Sequence, residues 1–384
     1  MTEWIECTLD KLGEIVGGAT PSTKCEDYYG GSIPWITPKD LSSFKGRYIT
    51  SGERNITEKG LASCSAQMMP KDAVLFTSRA PIGYVAIASQ SVCTNQGFKS
   101  IVVNDKADPL FVYYLLKYNK DAIEAMGSGT TFKEVSGKTM RAVKVRIPLD
   151  VSYQKRIAAV LDSLDTKIEN NERINDNLQQ QAATLFKALF VDHAPFDGTM
   201  PPNWTISTLG DVTEMGAGGD KPKESSPVKT PLCPYPIYSN GINDYGLYGY
   251  TNEPKIKVES VTVSARGTIG YVCLRHIPYV PIVRLVTLIP DTKVLSAKYL
   301  YLYLRQLHIT GTGTTQQQLT VPDFRKTEIV IPDKNTMDAF TETVTPLFEQ
   351  IWANEDENTK LAEVRDALLP KLMSGEIDVS AVQL

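Results

Sequence analysis

Two short segments of the chain place an arginine just ahead of the same four residues, Ile-Gly-Tyr-Val. They read TSRAPIGYV at residues 77–85 and SARGTIGYV at residues 264–272. A guanidinium carries several N–H donors and a permanent positive charge, so it can bind phosphate oxygens or the acceptor edge of guanine. It can equally hold a neighbouring strand or loop in place. The sequence alone therefore leaves both roles open for Arg79 and Arg266.

Other side chains of the kind that contact nucleic acid lie in loops near these arginines. The turn GSGTT at residues 127–131 returns as GTGTT at residues 311–315, where it runs into glutamines instead of Phe-Lys. Arginine, lysine, asparagine, glutamine and threonine read base edges and phosphates. Each one alone is usually a solvated loop residue, but their recurrence at corresponding places favours a nucleic-acid surface. The candidate contacts are Thr37, Lys39, Arg79, Lys133, Ser239, Asn240, Arg266, Thr315 and Gln316.

Motifs that would indicate catalysis are weak in this sequence. The glycine-rich stretches, including GAGGDK at residues 216–221, lack the Gly-Lys-Ser/Thr ending of a phosphate-binding loop. A nuclease-like spacing of Asp244 with Glu253 and Lys255 is interrupted by Pro254 and is not repeated. The six cysteines never form a Cys-x-x-Cys pair, and the three histidines are far apart. We therefore expect a binding protein, and we assign no catalytic or metal-ligating residue and no disulfide.

The elements that position the candidate residues occur twice. Trp4 returns as Trp204 at an offset of 200 residues, the arginines are 187 apart, and the Gly-Thr-Thr turns are 184 apart. The repeated residues occur in the same order in both copies, but the offset between corresponding residues decreases along the chain. The first copy therefore has more residues between its tryptophan and its arginine than the second copy has. Each copy contains several short runs that are typical of β-strands and one helical segment, at residues 109–118 in the first copy and 297–306 in the second. This combination predicts an α+β domain in each copy. The predicted strands are residues 73–76, 84–88, 99–103 and 144–147, and then 260–263, 271–274, 284–289 and 328–331.

A long helix is predicted after each copy, from a heptad pattern of apolar residues. We call the helix face formed by this heptad pattern the seam. Near the middle of the first helix two seam positions are occupied by asparagine, and the two corresponding positions of the second helix are also asparagines. Antiparallel packing would pair these amides, and we prefer it because it relates the two copies by a pseudo-two-fold axis; a parallel pairing and two independent helices are the alternatives. The seam residues are Ile157, Leu161, Leu164, Ile168, Asn171, Asn175, Leu178 and Leu185, and Val344, Leu347, Ile351, Asn354, Asn358, Leu361 and Leu368.

The charge distribution agrees with this division of the chain. The 384 residues carry a net charge of −4, but residues 1–150 and 193–332 each carry +2, residues 151–192 carry −1 and residues 333–384 carry −7. We expect globular domains at 1–150 and 193–333, a first long helix at 151–192, and a second long helix with a tail at 334–384. No apolar run suits a membrane span or signal peptide, so we expect a cytoplasmic protein without a membrane partner.

The ordered repeat resembles the specificity subunit of type I restriction-modification enzymes. The motifs that carry the resemblance are PPNWTISTLGDV, DAVLFTSRAPIGYVAI, SVTVSARGTIGYVCL, GSGTTFKEVSGKTMRAVKVRIPL and QKRIAAVLDSLDTKIENNE. The resemblance implies a non-catalytic reader of a bipartite double-stranded DNA target, with one half-site for each domain and paired helices that set the spacer. It also implies assembly with two methyltransferase subunits and two restriction subunits. S-adenosylmethionine, ATP and Mg²⁺ would then belong to those partners, with no cofactor in this chain.

Two alternatives of other classes stay open at this point. One is a self-contained restriction or modification enzyme with strongly diverged motifs. The other is a coiled-coil protein scaffold unrelated to DNA.

Overall fold

The computed structural model describes residues 3–129, 133–311 and 318–383. Its internal contacts divide the chain into two compact units: Met1–Arg173 with Glu355–Leu384, and Ile174–Asn354. Each unit contains one copy of the repeat and one half of each long helix. Among the described residues, no helix is long and apolar enough to cross a lipid bilayer.

The first unit is built mainly of short strands with a few helices. Its strands are β1 (Trp4–Thr8), β2 (Gly13–Gly17), β3 (Tyr29–Ile36), β4 (Tyr48–Ile49), β5 (Arg54–Ile56), β6 (Val74–Ser78), β7 (Ile82–Ala88), β8 (Cys93–Thr94), β9 (Lys99–Val103) and β10 (Lys144–Pro148). Its helices are α1 (Pro38–Ser42), α2 (Glu58–Ala62), α3 (Pro109–Tyr118), α4 (Lys120–Ala125), α5 (Gly137–Ala142) and the first part of α6 (Val151–Phe190).

The strands of the first unit form a five-stranded sheet in the order β2-β9-β6-β7-β4, a three-stranded sheet β5-β3-β8 and a separate ladder β1-β10. Helix α3 packs on β6 and β7. Its residues Phe111 and Tyr114 are fully buried in a core that extends to Leu161 on α6 and Leu372 near the C-terminus. The same core therefore holds the sheet against both helical segments.

The second unit repeats this plan with its own strands and helices. Its strands are β11 (Thr205–Thr208), β12 (Thr213–Ala217), β13 (Ser225–Ser226), β14 (Tyr235–Tyr238), β15 (Leu247–Thr251), β16 (Ser260–Val263), β17 (Val272–Arg275), β18 (Val280–Pro281), β19 (Val286–Pro290) and β20 (Glu328–Ile331). Its helices are α7 (Leu209–Val212), α8 (Ala297–Gln306), α9 (Val321–Phe324), the second part of α6 and the first part of α10 (Lys334–Ser374).

The strand orders show how closely the second unit follows the first. A sheet β12-β19-β16-β17 corresponds to β2-β9-β6-β7, and the ladder β11-β20 corresponds to β1-β10. A further sheet, β13-β15-β14-β18, takes three of its strands from the segment between Trp204 and Arg266, whose length differs between the copies. Helices α3 and α8 have the predicted bounds, and the predicted strands are present with small shifts at their ends. The mixed helix and sheet fold with two sheet-rich domains and two long helices is therefore confirmed.

The repeat extends to individual backbone hydrogen bonds. Leu9 N donates to Val143 O at 3.0 Å, and Leu209 N donates to Thr327 O at 2.9 Å. Leu209 lies 200 residues after Leu9, and Thr327 lies 184 residues after Val143, and both separations are offsets of the repeat. Since such bonds fix where each strand begins, the two copies share one framework although few of their residues are identical.

In the first unit the helical segments of α6 and α10 run antiparallel. Asp165 Oδ1 binds Arg365 NH1 at 2.7 Å, and six positions further along α6 Asn171 donates its amide to Asn358 Oδ1 at 2.8 Å. As the residue numbers increase along α6, the residue numbers of the contacting residues on α10 decrease. The predicted antiparallel pairing is therefore present in this unit.

The second unit shows the same direction of packing. Asn354 donates its amide to Asn175 Oδ1 at 2.7 Å, and further along the helices the rings of Phe186 and Phe340 lie 6.0 Å apart. The asparagines thus satisfy one another in pairs, as the heptad register predicts. Each pair lies inside one unit.

Burial along the helices differs from the predicted seam at one position, Leu185, which keeps 37% of its surface exposed. The buried residues in that part of α6 are Ala182, Phe186 and Phe190, because these face the aromatic core of the second unit. The seam residues that are buried are Ile157, Leu161, Asn171, Asn175, Val344, Ile351 and Asn354, and those that are half-buried are Leu164, Ile168, Leu178, Leu347, Asn358, Leu361 and Leu368.

Candidate nucleic-acid interface

Arg79 lies in the turn between β6 and β7, where backbone bonds from two other loops meet. Ser78 N donates to Gly97 O at 2.7 Å, and Val135 N donates to Ser78 O at 2.9 Å. Thr77 Oγ1 accepts a bond from Tyr84 N at 2.8 Å, which closes the turn. The position of Arg79 is therefore fixed by residues that are distant in sequence.

The guanidinium of Arg79 is partly engaged by Glu134. The Arg79 NH1 to Glu134 Oε2 distance is 3.4 Å, and the Arg79 side chain keeps 35% of its surface exposed. Lys99 Nζ lies 3.6 Å from the other oxygen of Glu134. Because one carboxylate faces two cations, this cluster carries a net positive charge and can still attract a phosphate.

Thr37, a second candidate of the first unit, lies next to a loop that contacts the same turn. Ile36 O accepts a bond from Asn95 N at 3.0 Å, which places Thr37 beside the turn at residues 95–97. Thr37 is the N-cap residue of α1 and bonds Asp40 through both its backbone N, at 2.7 Å, and its Oγ1, at 2.6 Å. Lys39 is exposed and pairs with Glu53 at 2.7 Å.

Lys133, the remaining candidate of the first unit, is also exposed. It precedes Glu134, whose backbone exchanges two hydrogen bonds with Ser128 at 2.9 and 3.0 Å. Glu134 also forms a β-bridge with Arg79. The structure thus brings Arg79 and the segment of Lys133 together through Glu134, with Thr37 beside the adjoining turn at residues 95–97, whereas Lys39 faces Glu53.

Arg266 occupies the corresponding turn of the second unit, after β16. Leu319 N donates to Ala265 O at 3.1 Å, and Ser264 Oγ accepts a bond from Tyr271 N at 2.9 Å, which repeats the bonds around Arg79. Arg266 NH2 donates to Gln318 Oε1 at 3.1 Å. Gln318 stands where the first copy has Glu134, so the charged partner of the arginine is replaced by a neutral one.

The asparagine predicted as a contact in the second unit bridges two turns. Asn240 Oδ1 accepts a bond from Ala265 N at 2.7 Å, and its amide donates to Val283 O at 2.6 Å. Ser239 N donates to Gly246 O at 2.8 Å, so Ser239 belongs to the same loop structure. The candidates Thr315 and Gln316 lie outside the described residues.

Sequence reasoning missed Arg284, which lines an open groove together with Arg266 and Gln318. The predicted strand at 284–289 placed Arg284 inside a strand. The strand begins at Val286 instead, because Val283 and Arg284 adopt left-handed conformations with φ of 52° and 65°. Both side chains are exposed. Propensity favoured a strand for this Val-rich run, and only the contacts of the turn overrule it.

A second residue missed from the sequence is Arg47, which ties the first sheet region to α6. Arg47 is only 5% exposed. Its guanidinium binds the Asp162 carboxylate, the Thr166 hydroxyl at 2.9 Å and Glu169 Oε1 at 3.1 Å. Burial alone would lower the pKa of Arg47, but Glu169 and Asp162 raise it above its ordinary value.

The second unit uses different chemistry at the corresponding helix position. Trp352 stands 183 residues after Glu169, and the ring of His276 stacks on it at 4.1 Å and 15°. Lys298 Nζ lies 5.5 Å from the same tryptophan ring and binds Glu259 at 2.8 Å. The sheet region therefore meets the helix through an ionic cluster in one unit and through an aromatic stack in the other.

Comparison with known proteins agrees with this arrangement of two copies. The family described as "Type I restriction modification DNA specificity domain" matches residues 1–180 and 201–363. The chain is 34% identical to the type I restriction enzyme MjaIX specificity subunit of Methanocaldococcus jannaschii, over 98% of this chain and 94% of that protein. It is 25% identical to the HindI specificity subunit of Haemophilus influenzae, over 73% of this chain and 80% of that protein.

The fold also matches a solved structure. The type I restriction-modification S subunit from M. genitalium superposes with a TM-score of 0.62 at 18% identity, over 97% of this chain and 96% of that one. At this identity the likeness supports the fold, and the sequence matches supply the family. The chain belongs to the family of type I restriction-modification DNA specificity proteins, as a specificity subunit.

Proposed function

We propose that this subunit is non-catalytic and reads a bipartite double-stranded DNA target. The domain at 1–150 would read one half-site and the domain at 193–333 the other. The observation that carries the proposal is the shared hydrogen-bonded frame around Arg79 and Arg266, whose surrounding side chains differ: Glu134 corresponds to Gln318. Two domains that share this hydrogen-bonded backbone but carry different polar side chains can recognise different base sequences.

The long helices would set the unread spacer between the half-sites. Helix α6 has 40 residues, which is about 60 Å at the rise of an α-helix and exceeds one turn of B-DNA, about 34 Å. Residues 333–384 carry a net charge of −7. Such a surface repels DNA, so we assign it to contacts with protein partners.

Those partners would be two methyltransferase subunits and two restriction subunits. Methylation of a base in duplex DNA requires a pocket for the flipped base, and we assign that pocket to the methyltransferase subunits together with S-adenosylmethionine. ATP and Mg²⁺ are assigned to the restriction subunits. This division leaves sequence reading and assembly to the present chain.

The first experiment is to co-express the chain with its methyltransferase subunit and to map methylated adenines across the host genome. A methylated motif of two specific parts with a fixed spacer is expected. Methylation without such a motif would contradict the proposal.

The contribution of one domain can be tested with Arg79→Ala in that complex. We expect weaker binding to DNA with an intact first half-site and an unchanged response to substitutions in the second. Lys144→Ala is a suitable control, because Lys144 is exposed and pairs with Glu6 on the β1-β10 ladder. An equal loss on every DNA sequence would show that Arg79 contacts phosphate only.

The alternative of a self-contained enzyme is tested with the purified chain alone. Incubation with DNA, Mg²⁺ and S-adenosylmethionine should give neither cleavage nor methylation. Either product from the chain alone would overturn the non-catalytic assignment.

A further inference from the structure

The turn that carries Arg284 is held in an unfavourable backbone conformation. Val283 and Arg284 have φ of 52° and 65°, and a left-handed conformation brings the Cβ of an L-residue close to its own backbone. It is especially unfavourable for a β-branched residue such as valine. Strain of this kind persists where the surroundings impose it, and it is frequent at functional sites.

The surroundings that impose this conformation are backbone bonds from the end of β12. Val283 N donates to Gly219 O at 2.8 Å, and Arg284 N donates to Gly218 O at 3.0 Å. A Cβ on Gly218 would lie 2.8 Å from the backbone of Ile282, so a larger residue there would push the turn away. These two bonds hold the backbone of Val283 and Arg284 against Gly218 and Gly219, which follow Ala217, another residue that lines the groove.

Asn240 connects this turn to the other arginine of the groove. Its amide donates to Val283 O at 2.6 Å, and its Oδ1 accepts from Ala265 N at 2.7 Å. Val283 precedes Arg284, and Ala265 precedes Arg266. One side chain therefore sets the separation of the two arginine-bearing turns.

The first unit has the same frame without a second arginine. Gly97 lies 187 residues before Arg284 and is therefore its counterpart in the first copy. There Ser78 N bonds Gly97 O directly at 2.7 Å, whereas in the second unit Asn240 intervenes. In the turn before the last strand of the large sheet, the second copy thus has a side-chain bridge in place of a direct backbone bond and an arginine in place of a glycine.

We infer that Arg284 is a sequence-reading residue of the second half-site, with guanine as the base it recognises, and that Asn240 is a positioning residue for Arg284 and Arg266. This inference rests on the proposed function. In the major groove guanine presents two acceptors, N7 and O6, and two N–H groups of one guanidinium can bind both of them. Arg284 is exposed in a groove that already holds Arg266 and Gln318.

The experiment selects duplexes from a library of randomised oligonucleotides with the complex of this chain and its methyltransferase subunits. The wild-type complex should enrich a bipartite sequence that contains guanine in the half-site unaffected by Arg79→Ala. Arg284→Gln should lower affinity for that sequence by roughly tenfold or more and remove the preference for guanine there. The first half-site should be unchanged. Arg305→Gln, at an exposed arginine on α8, is the control.

Two further variants separate base reading from charge and from folding. Arg284→Lys keeps the charge without the planar pair of N–H donors, so it should weaken the guanine preference while it retains most of the affinity. Asn240→Asp keeps the acceptor for Ala265 N but removes the donor to Val283 O, so it should reproduce the effect of Arg284→Gln. Thermal unfolding midpoints close to the wild-type value establish that each variant is folded.

The outcomes distinguish this inference from the proposed function. If the wild-type complex enriches no bipartite sequence, the proposed function fails. If it does, but Arg284→Gln leaves the motif unchanged or weakens all sequences equally, the reading role of Arg284 is wrong. If Arg284→Gln acts as expected and Asn240→Asp does not, the positioning role of Asn240 is wrong.

Discussion

Asn354 donates its side-chain amide to the Oδ1 of Asn175 at 2.7 Å, and both residues are 6% exposed. Asn175 in turn donates to Ile351 O at 3.3 Å. A buried amide is costly unless its donors and acceptor are paired. The two asparagines therefore require each other, and this requirement aligns the helical segments of the second unit.

The first prediction concerns this pair. Asn354→Leu should lower the free energy of unfolding by about 1–3 kcal/mol, because Asn175 Oδ1 loses its donor in a buried place. The double variant Asn175→Leu/Asn354→Leu should recover much of this loss, since both polar groups are removed. A double-mutant cycle by denaturant unfolding measures the coupling, with Asn177→Leu at an exposed position as control. Additive losses would contradict the pairing.

The second prediction concerns the ionic cluster at α6. Arg47→Met should destabilise the first unit by about 3 kcal/mol or more, because it leaves the carboxylates of Asp162 and Glu169 without their cation. Lys45→Met is the matched control: Lys45 forms an exposed pair with Glu172 on the same helix, and loss of such a pair costs at most about 1 kcal/mol. Similar effects in chemical denaturation would refute a structural role for Arg47.

The third prediction compares neighbouring glycines at the end of β2. A Cβ on Gly18 would lie 2.1 Å from Asn95 O and 2.2 Å from Thr94 O, whereas a Cβ on Gly17 would meet nothing within 4 Å. Gly18→Ala should therefore destabilise by about 1–3 kcal/mol, as overpacking does. Gly17→Ala should be close to neutral. Thermal unfolding of both variants checks this, and equal stability would show that β2 can shift freely.

The fourth prediction concerns pH. Hydrogen bonds from Asn171 and Lys167 hold the pKa of Glu357 below its ordinary value of 4.5. Because the folded-state pKa is lowered, the stabilisation is present above pH 4.5 and is lost as the pH falls through the folded-state pKa. Glu357→Gln should thus be less stable than the wild type at pH 7, and the difference should shrink at acid pH. A difference that is constant across denaturation curves from pH 7 to 3 would contradict this.

The local pattern of the chain was sufficient to predict the repeat, eight of the twenty strands in the described residues, both short core helices and both long helices. It also predicted the asparagine pairs, because heptad spacing fixes which residues share a helix face. These features depend on residues that lie close together in sequence or on a comparison of the two copies. The candidate contacts around Arg79 were identified in the same way, from residue type and equivalent position.

Other features depend on contacts between distant parts of the chain. Arg47 meets α6 more than a hundred residues later, and no local pattern distinguishes it from an exposed arginine. Leu185 fits the heptad, but the aromatic core of the second unit turns the neighbouring Phe186 inward instead. Arg284 follows β-branched residues that favour a strand, but bonds from Gly218, Gly219 and Asn240 hold it in a turn. Periodicity thus determined the elements, whereas long-range hydrogen bonds and packing decided which side chains reach the groove.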